Sequence, residues 1–447
     1  MPIYQIEAPE LIKKGESWDL TEEVLRTSKK IEDWEEAAAS LRAGAKVLDG
    51  IPAMELLDFF DAAALRLATS ESGSLEEYSS LGISWLVPFL RRTNLERLLR
   101  FALRGDPACL ESFVRQDGLG KMTIARPRGL IVHWLAGNVP TLAAISLVQG
   151  LLTKNANAVK LPRESGLFLP SFFAKVAGFE HRMTTGRVIS GKDLAGAVRF
   201  IFCDKDDLES ERRLSMSADV RVAWGGREAM ESVLGLPKKH DAEDVLFGPK
   251  TSIAAIGRFA LNPGETEAVA LRLALDASVF EQRGCNSPRA VFVESGGKVS
   301  PLEFAGILAA AMDKALKRIP KPPVSASEAY SVVALRNEYS LRGEVFASPG
   351  TEWTVVYDEE KSPAPACGGR VVFVRPVGDI MEVAGFIGPG TQTLGLQIDD
   401  ERRIPFAEKA AAAGISRMTQ IGKMSLFDYP WDGLFPMDRF VRWVSLE

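Results

Sequence analysis

The chain is poor in the residue types that most often bind metals or form disulfides. Its 447 residues include only four cysteines and three histidines. Cys109, Cys203, Cys285 and Cys367 are far apart and form no C-x-x-C pair, which favours a reducing compartment over a disulfide framework. The histidines have no metal-ligand spacing, and no carboxylate cluster near them completes a site. We therefore expect neither a metal site nor disulfides.

The chain also lacks a segment that would cross a bilayer. Its longest apolar run, residues 139–152, is too short to span one. The amino terminus has no basic stretch followed by an apolar core, as a secretion signal would. A net charge of -5 and a pI near 5.6 argue against a general nucleic-acid binder. These absences predict a cytoplasmic protein with no membrane span and no nucleic-acid partner.

What the chain does contain is typical of a large globular protein. It is 46% hydrophobic and 25% charged, and it is long enough for two or three domains. Residues 20–48, 53–68 and 86–103 have the periodicity of amphipathic helices. Short apolar strands alternate with helices from residue 129, and a second such series begins at residue 251. Repeated strand-helix-strand units predict an α/β fold with parallel sheets.

Cys285 is the most informative single residue. It lies in the turn Gly-Cys-Asn-Ser at residues 284–287, between a helical pattern over 266–280 and an apolar strand at 290–293. A thiol reacts as the thiolate, which needs an open, electropositive surrounding, and Arg283 and Arg289 are near in sequence. The alternative is a small buried core cysteine.

No G-x-G-x-x-G fingerprint occurs, so a nicotinamide cofactor would bind without the usual glycine-rich turn. Instead, GLIVHWLAGNVP at residues 129–140 is followed by an apolar helix and by KNANAVKLP at 154–162. These segments resemble the aldehyde dehydrogenase superfamily, in which one strand ends in an Asn-x-Pro turn and the next in a cofactor-contacting lysine. WLAGNVP, LLTKN at 151–155 and the ending from 432 to 444 look more closely like the acyl-CoA reductases of the bioluminescence fatty-acid reductase (LuxC) type.

The resemblance implies an aldehyde dehydrogenase-like architecture with two Rossmann-like parallel-sheet domains and a helical amino-terminal region. Residues 1–245 would form that region together with the NAD(P)-binding domain. Residues 246–395 would form the catalytic cysteine domain, and 396–447 would return to the cofactor and oligomerisation side. A strand hairpin near 116–128 would support a homo-oligomer.

The resemblance also implies a chemistry. Cys285 would be the nucleophile, and the Asn138 side-chain amide, with the backbone N–H of Cys285, would bind the oxyanion. One such donor lowers a barrier by about 3 kcal/mol. Asn138 could instead be a helix N-cap or turn residue before Pro140. The implied activity is NAD(P)H-dependent reduction of an acyl thioester, from acyl-CoA or an acyl carrier, to the aldehyde, with an acyl-protein synthetase or transferase as a possible partner.

The cofactor would be NADP or NAD. By resemblance, Lys160 contacts the adenosine ribose or its 2′-phosphate, and Gly225 and Gly226 let a helix amino terminus approach the diphosphate. Glu344, in a Glu-x-Phe stretch, would hold the nicotinamide ribose. The simpler alternatives are a solvated strand-end lysine and an ordinary strand-to-helix turn.

One departure bears on the reaction. Hydrolytic aldehyde dehydrogenases carry a glutamate base before a Gly-Gly-Lys turn about 34 residues ahead of the cysteine. By resemblance the corresponding run here is LFGPK at residues 246–250, in which Leu246 replaces the base. Glu243 or Asp244 would supply a base if the alignment shifts. Aldehyde oxidation and acyl-phosphate reduction on the same scaffold remain alternatives, as does a non-catalytic nucleotide-binding subunit.

Overall fold

A computed structural model describes most of the chain, namely residues 2–7, 18–69, 83–116, 120–262, 264–360, 364–365 and 367–447. The chain divides into two compact units. The first comprises Met1–Gly248 and Leu434–Glu447, and the second comprises Pro249–Gly433. Within the described ranges, every helix is too short or too polar to cross a membrane.

The amino-terminal region of the first unit is mostly helical. Its elements are β1 (Ile3–Gln5), α1 (Glu22–Thr27), β2 (Lys29–Ile31), α2 (Trp34–Ala45), α3 (Ala53–Thr69), α4 (Ile83–Leu90) and α5 (Arg92–Ala102). The helical pattern over 20–48 is interrupted by β2, because that segment pairs with β1 in an antiparallel ladder. Here tertiary pairing overrides the local preference.

The first unit is built on a mostly parallel sheet. Its further elements are β3 (Val114–Arg115), β4 (Met122–Pro127), β5 (Leu130–Trp134), α6 (Pro140–Leu152), β6 (Ala156–Lys160), α7 (Phe168–Ala177), β7 (Glu180–Arg182), β8 (Val188–Ser190), α8 (Gly191–Ala195), β9 (Val198–Phe202), α9 (Leu208–Ser217), β10 (Val220–Trp224), α10 (Arg227–Gly235) and β11 (Glu243–Phe247). The strand order is β11-β10-β5-β6-β9-β1-β2. All residues of β5 and β10 are buried, as in a sheet with both faces covered.

The second unit has its own parallel sheet. It contains β12 (Thr251–Ile256), α11 (Thr266–Ser278), β13 (Pro288–Glu294), α12 (Pro301–Arg318), α13 (Ala326–Tyr339), β14 (Glu344–Ala347), β15 (Thr354–Tyr357), β16 (Val371–Val377), β17 (Thr391–Gln397), α14 (Asp400–Ala412) and β18 (Arg417–Gln420). The order is β14-β15-β16-β13-β12-β17-β18, with β14 antiparallel to its neighbour. Helix α12 begins at a capping box between Ser300 and Glu303.

The chain ends in the first unit, with α15 (Pro436–Arg439) and β19 (Val441–Leu446). Strand β19 pairs with β4, and β4 pairs with β3, so the segment expected to form a hairpin joins a three-stranded sheet. Residues 117–119 of that segment lie outside the described residues. The returning segment begins at Leu434 rather than at 396, because β17, α14 and β18 belong to the second unit.

Candidate functional site

Cys285 lies at the amino edge of the second sheet, just before the central strand β13. Neighbouring strands begin at the same level, since Ser252 of β12 is opposite Pro288 and Thr251 is opposite Thr391 of β17. The Ser252 hydroxyl donates a hydrogen bond to the main-chain carbonyl of Cys285 at 2.7 Å. The amide of Thr393 donates to the same hydroxyl at 3.1 Å. Three adjacent strands therefore fix the backbone of the cysteine.

The segment before Cys285 has an unusual backbone. Phe280, Glu281 and Gln282 have φ of 54°, 54° and 60°, so three consecutive residues with side chains are left-handed. This conformation costs about 1 to 2 kcal/mol per residue and persists only where the surroundings impose it. The buried Gln282 amide donates to Pro288 O at 2.8 Å. Glu281 forms a two-point ion pair with Arg370, whose side chain is 1% exposed.

The charge that acts on the thiol is negative. Burial, followed by the charge of Asp432, raises the pKa of Cys285 to about 12, while a hydrogen bond from Gln392 lowers it in part. Gln392 Nε2 also donates to Asp432 at 2.8 Å, and Lys250 Nζ lies 3.6 Å from that carboxylate. The residue as a whole keeps some solvent exposure, although its thiol is buried enough for the pKa to rise.

The expected electropositive surrounding of Cys285 is thus wrong. Arg283 is exposed and lies 3.4 Å from the Glu328 carboxylate. Burial lowers the pKa of Arg289. Arg283 is close to Cys285 in sequence, but its charge is not close to the thiol, because the turn directs the Arg283 guanidinium to helix α13.

In the first unit, several predicted residues meet at the carboxyl edge of the sheet. Trp134, Lys160 and Trp224 end the strands β5, β6 and β10, which are neighbours. They line a cavity of about 420 Å³ together with residues that include Glu211 and Met230. The carboxyl edge of a parallel sheet is where ligands of α/β proteins commonly bind.

Lys160 is not a solvated strand-end lysine. Its side chain is 12% exposed and forms an ion pair with Glu211, which is 6% exposed. Glu211 also accepts a hydrogen bond from Trp134 Nε1 at 2.7 Å. This buried pair on the cavity wall is a feature of the site that the sequence did not indicate.

Asn138 lies in the loop that follows β5, at the same edge of the first sheet as Lys160. It is exposed, and the N-cap of α6 is Val139, which forms no side-chain cap. The N-cap alternative for Asn138 therefore does not apply. Asn138 belongs to the first unit and Cys285 to the second.

The turn after β10 fits a diphosphate. Gly226 is the N-cap of α10 and provides no side-chain cap, so the first N–H groups of the helix are available to an anion. A Cβ on Gly225 would lie 2.9 Å from the Ala229 Cβ, which excludes a larger residue there. A Cβ on Gly226 would meet nothing within 4 Å, so the space beside the helix start is open.

Glu344 is not brought to Cys285. It is exposed on β14, the edge strand, and two strands separate β14 from β13. At the usual spacing of neighbouring strands this corresponds to roughly 14 Å. The prediction that Glu344 holds the nicotinamide ribose therefore has no geometric support.

Glu243 and Asp244 have structural partners. Glu243 forms an ion pair with Arg439 at 2.6 Å. Asp244 binds the buried Arg221 at 2.6 Å and Lys238 at 2.8 Å. Both residues begin β11, so they lie at the amino edge of the first sheet, opposite the edge that carries Lys160. Both carboxylates are therefore held by cations at this edge.

Sequence reasoning missed three residues, namely Glu211, Gln392 and Asp432. Glu211 follows a strand by several residues within a charged helix, where an acidic side chain is ordinarily solvated. Gln392 precedes Asp432 by 40 residues and joins it only in the fold. No local signal marked Gln392, because its strand, TQTLGLQ, is itself largely polar.

A family model described as acyl-CoA reductase (LuxC) matches residues 56–443. A long-chain acyl-protein thioester reductase of Aliivibrio fischeri is 28% identical over 385 residues, covering 84% of this chain and 75% of that protein. The range matched by the family model spans the positions of Asn138, Lys160 and Cys285.

Solved structures of aldehyde dehydrogenases have the same fold. An NADP-dependent glyceraldehyde-3-phosphate dehydrogenase of Bacillus halodurans, complexed with NADP, has a TM-score of 0.65 at 15% identity and covers 100% of this chain and 99% of its own. Lactaldehyde dehydrogenase of Escherichia coli has a TM-score of 0.60 at 13% identity, covering 100% and 98%. The predicted aldehyde dehydrogenase-like α/β fold is confirmed.

Proposed function

The chain belongs to the acyl-CoA reductase (LuxC) family, and on this premise we propose that it reduces a long-chain acyl thioester to the aldehyde through an acyl group on Cys285. The observation that carries the proposal is the presentation of Cys285. The residue is partly exposed, while its backbone is fixed by Ser252 and by the left-handed segment before it. A fixed nucleophile contributes to the rate by holding the reacting atoms in an attack geometry.

The first step is an exchange of thioesters. The Cys285 sulfur attacks the acyl carbonyl carbon, the bond from that carbon to the donor sulfur breaks, and the proton lost by Cys285 ends on the donor thiol. The donor is acyl-CoA, an acyl carrier or the acyl-protein that the Aliivibrio enzyme is named for. Negative charge on the carbonyl oxygen would be stabilised by the Asn138 amide and the backbone N–H of Cys285, at about 3 kcal/mol per donor.

The second step requires a nicotinamide cofactor, NADP or NAD, which when bound supplies the hydride that reduces the acyl group. The residues that would hold it are Lys160 at the adenosine ribose and the helix start at Gly225 and Gly226 at the diphosphate. The carbon-to-sulfur bond of the acyl-cysteine then breaks, so that Cys285 is regenerated and the aldehyde leaves. The cofactor performs the difficult chemistry, and the protein contributes placement.

Loss of the acyl group to water would compete with reduction. The position of the usual glutamate base holds Leu246, and the carboxylates of Glu243 and Asp244 are held by cations. A water molecule without a general base attacks a thioester slowly. We therefore propose reduction, rather than hydrolysis or aldehyde oxidation, as the fate of the acyl-enzyme.

The proposal extends to partners and assembly. We propose that an acyl-protein synthetase or transferase delivers the acyl group, and that the chain forms homo-oligomers through the three-stranded sheet of β3, β4 and β19. Strands at the edges of that sheet have unpaired backbone groups that a second copy can complete. A monomer on a sizing column would contradict the second part.

The test is acyl transfer and cofactor oxidation by Cys285→Ala. We expect the variant to lose both covalent labelling by radioactive long-chain acyl-CoA and acyl-CoA-dependent NADPH or NADH oxidation. Cys367→Ala is the matched control, because Cys367 is also partly exposed in the second unit, and it should retain both. Labelling that persists in Cys285→Ala would exclude the acyl-cysteine. Product analysis with acyl-CoA, acyl phosphate and free aldehyde separates the three reactions.

A further inference from the structure

A carboxylate and the thiol of Cys285 share one hydrogen-bond donor in the second unit. Gln392 Nε2 donates to Asp432 Oδ1 at 2.8 Å. The same side chain donates to the Cys285 thiol. Gln392 is 1% exposed, so this amide is fixed in the interior. Because it contacts both groups, the carboxylate and the sulfur are close enough for a proton to pass between them, directly or through one water molecule.

The carboxylate of Asp432 is buried next to a cation. Its side chain is 5% exposed, and Lys250 Nζ lies 3.6 Å from it. The same ammonium donates to Ser416 Oγ at 3.1 Å, which holds it in place. Burial raises the pKa of Asp432, and the contacts with Gln392 and Lys250 lower that pKa in part. A carboxylate with a raised pKa is a better proton acceptor than an ordinary one.

The second unit has no histidine to serve Cys285. The three histidines of the chain are His133, His181 and His240, and all belong to the first unit. A cysteine nucleophile is commonly activated by a histidine base or by a cation that lowers its pKa. Here burial, followed by the charge of Asp432, raises the pKa of Cys285 to about 12. Almost none of the thiol is ionised at neutral pH, so attack requires a group that accepts its proton.

We propose that Asp432 is the general base of acyl transfer, which takes the proton of Cys285 and delivers it to the donor sulfur. The inference rests on the proposed function, which makes Cys285 the nucleophile. As the Cys285 sulfur bonds to the acyl carbon, its S–H bond breaks and an O–H bond forms on Asp432. The bond from the acyl carbon to the donor sulfur then breaks, and that sulfur takes the proton from Asp432. The carboxylate is regenerated, and no group is oxidised or reduced.

Gln392 and Lys250 have separate parts in this step. Gln392 is a positioning residue, because its amide holds the carboxylate of Asp432 beside the sulfur of Cys285. Lys250 acts on the charge of the base, since it lowers the pKa of Asp432. The lysine therefore sets the pH above which the base is ionised.

Asp432→Asn distinguishes a proton acceptor from a mere negative charge. Asparagine keeps the size of the side chain and tolerates the left-handed backbone of Asp432, whose φ is 51°. Loss of the charge lowers the pKa of the Cys285 thiol and favours its alkylation by iodoacetamide. Loss of the acceptor should slow acyl transfer from radioactive long-chain acyl-CoA at neutral pH by about 100-fold or more. The two rates should therefore move in opposite directions, and the exposed Asp400→Asn should change neither.

The pH dependence of acyl labelling is a second readout, and it does not need an Asp432 variant. In the wild type the rate should rise as Asp432 loses its proton and then stay level, well below the pKa of the thiol. Lys250→Met removes the cation that lowers the pKa of Asp432, so this rise should shift to higher pH. Circular dichroism checks that each variant is folded.

Three results would overturn the inference and leave the acyl-cysteine in place. The first is a folded Asp432→Asn that transfers the acyl group as fast as the wild type or faster. The others are a wild-type rate that keeps rising with pH towards the pKa of the thiol, and an unshifted profile in folded Lys250→Met. A wild-type chain that acyl-CoA does not label at all would instead remove the proposed function together with the inference.

Discussion

The side chain of Gln282 pairs with the main chain of Val371 as a neighbouring strand would. Gln282 Nε2 donates to Val371 O at 2.7 Å, and Val371 N donates to Gln282 Oε1 at 3.0 Å. Val371 begins β16, the strand beside β13. The Gln282 side-chain amide thus makes the hydrogen bonds that the backbone of a neighbouring strand would make, and it attaches the left-handed segment before Cys285 to the sheet.

Gln282→Ala tests this attachment. The change removes three hydrogen bonds, counting the one to Pro288, and we expect the free energy of unfolding to fall by about 3 kcal/mol. Acyl labelling of Cys285 should fall as well, because the turn loses its fixed geometry. Denaturant unfolding and labelling rates measure the two effects. Gln420→Ala, an exposed glutamine in the same unit, should change neither.

Asp432→Asn should make Cys285 more reactive in the absence of substrate. The negative charge of Asp432 is one of the causes, after burial, that raise the pKa of the thiol to about 12. Removing it lowers that pKa, so the pH dependence of iodoacetamide alkylation should shift to lower pH. Asp400→Asn, whose side chain is fully accessible, serves as the control. An identical alkylation profile in wild type and Asp432→Asn would contradict the role of this charge.

His133 should make stability depend on pH in the acidic range. Burial lowers its pKa to about 4, and its ring contacts Ser146 Oγ at 2.9 Å and Asn157 Oδ1 at 3.1 Å. The unfolded histidine binds a proton near pH 6.5, whereas the buried one stays neutral until about pH 4. The free energy of unfolding therefore falls by roughly 3 kcal/mol as the pH falls from about 6.5 to 4. The loss should be smaller in His133→Gln than in the wild type and unchanged in His240→Gln.

Asp276 should have the opposite pH dependence in the second unit. Burial raises its pKa to about 7, although it accepts a hydrogen bond from Gly422 N at 2.5 Å. The folded state therefore holds a proton that the unfolded state releases near pH 4, and stability is lost as pH rises towards 7. Asp276→Asn should gain stability relative to the wild type over that range in thermal unfolding. Equal slopes in both proteins would refute this, and the exposed Asp241→Asn should match the wild type.

Local sequence predicted the elements well where periodicity and burial agree. The helical patterns over 53–68 and 266–280 correspond to the helices Ala53–Thr69 and Thr266–Ser278, because each is a continuous pattern with a clear start. The grouping of Lys160 with the turn at Gly225 was implied by the resemblance, and it agrees with the rule that parallel strands end at one edge. The short strand Lys29–Ile31 was missed because pairing with β1 decides it.

Charge and polar partners were predicted less well, because they depend on contacts between distant segments. Arg283 is two residues from Cys285, yet the charge that raises the pKa of the thiol is that of Asp432. Likewise, Lys160 was expected from its place in a motif, whereas Glu211, which neutralises it, has no local signature. Sequence periodicity indicates burial within a single helix or strand. The pairs Cys285 with Asp432 and Lys160 with Glu211 each join two separate segments of the chain.

The bond from Ser252 reaches the carbonyl oxygen of Cys285 and leaves its sulfur out of the anchoring. Replacing the sulfur by hydrogen or oxygen keeps that anchor, so a Cys285 variant should fold with the same turn. An inactive but well-folded variant would then bind the intact acyl donor without reacting with it. A crystal structure of that complex would identify the natural substrate.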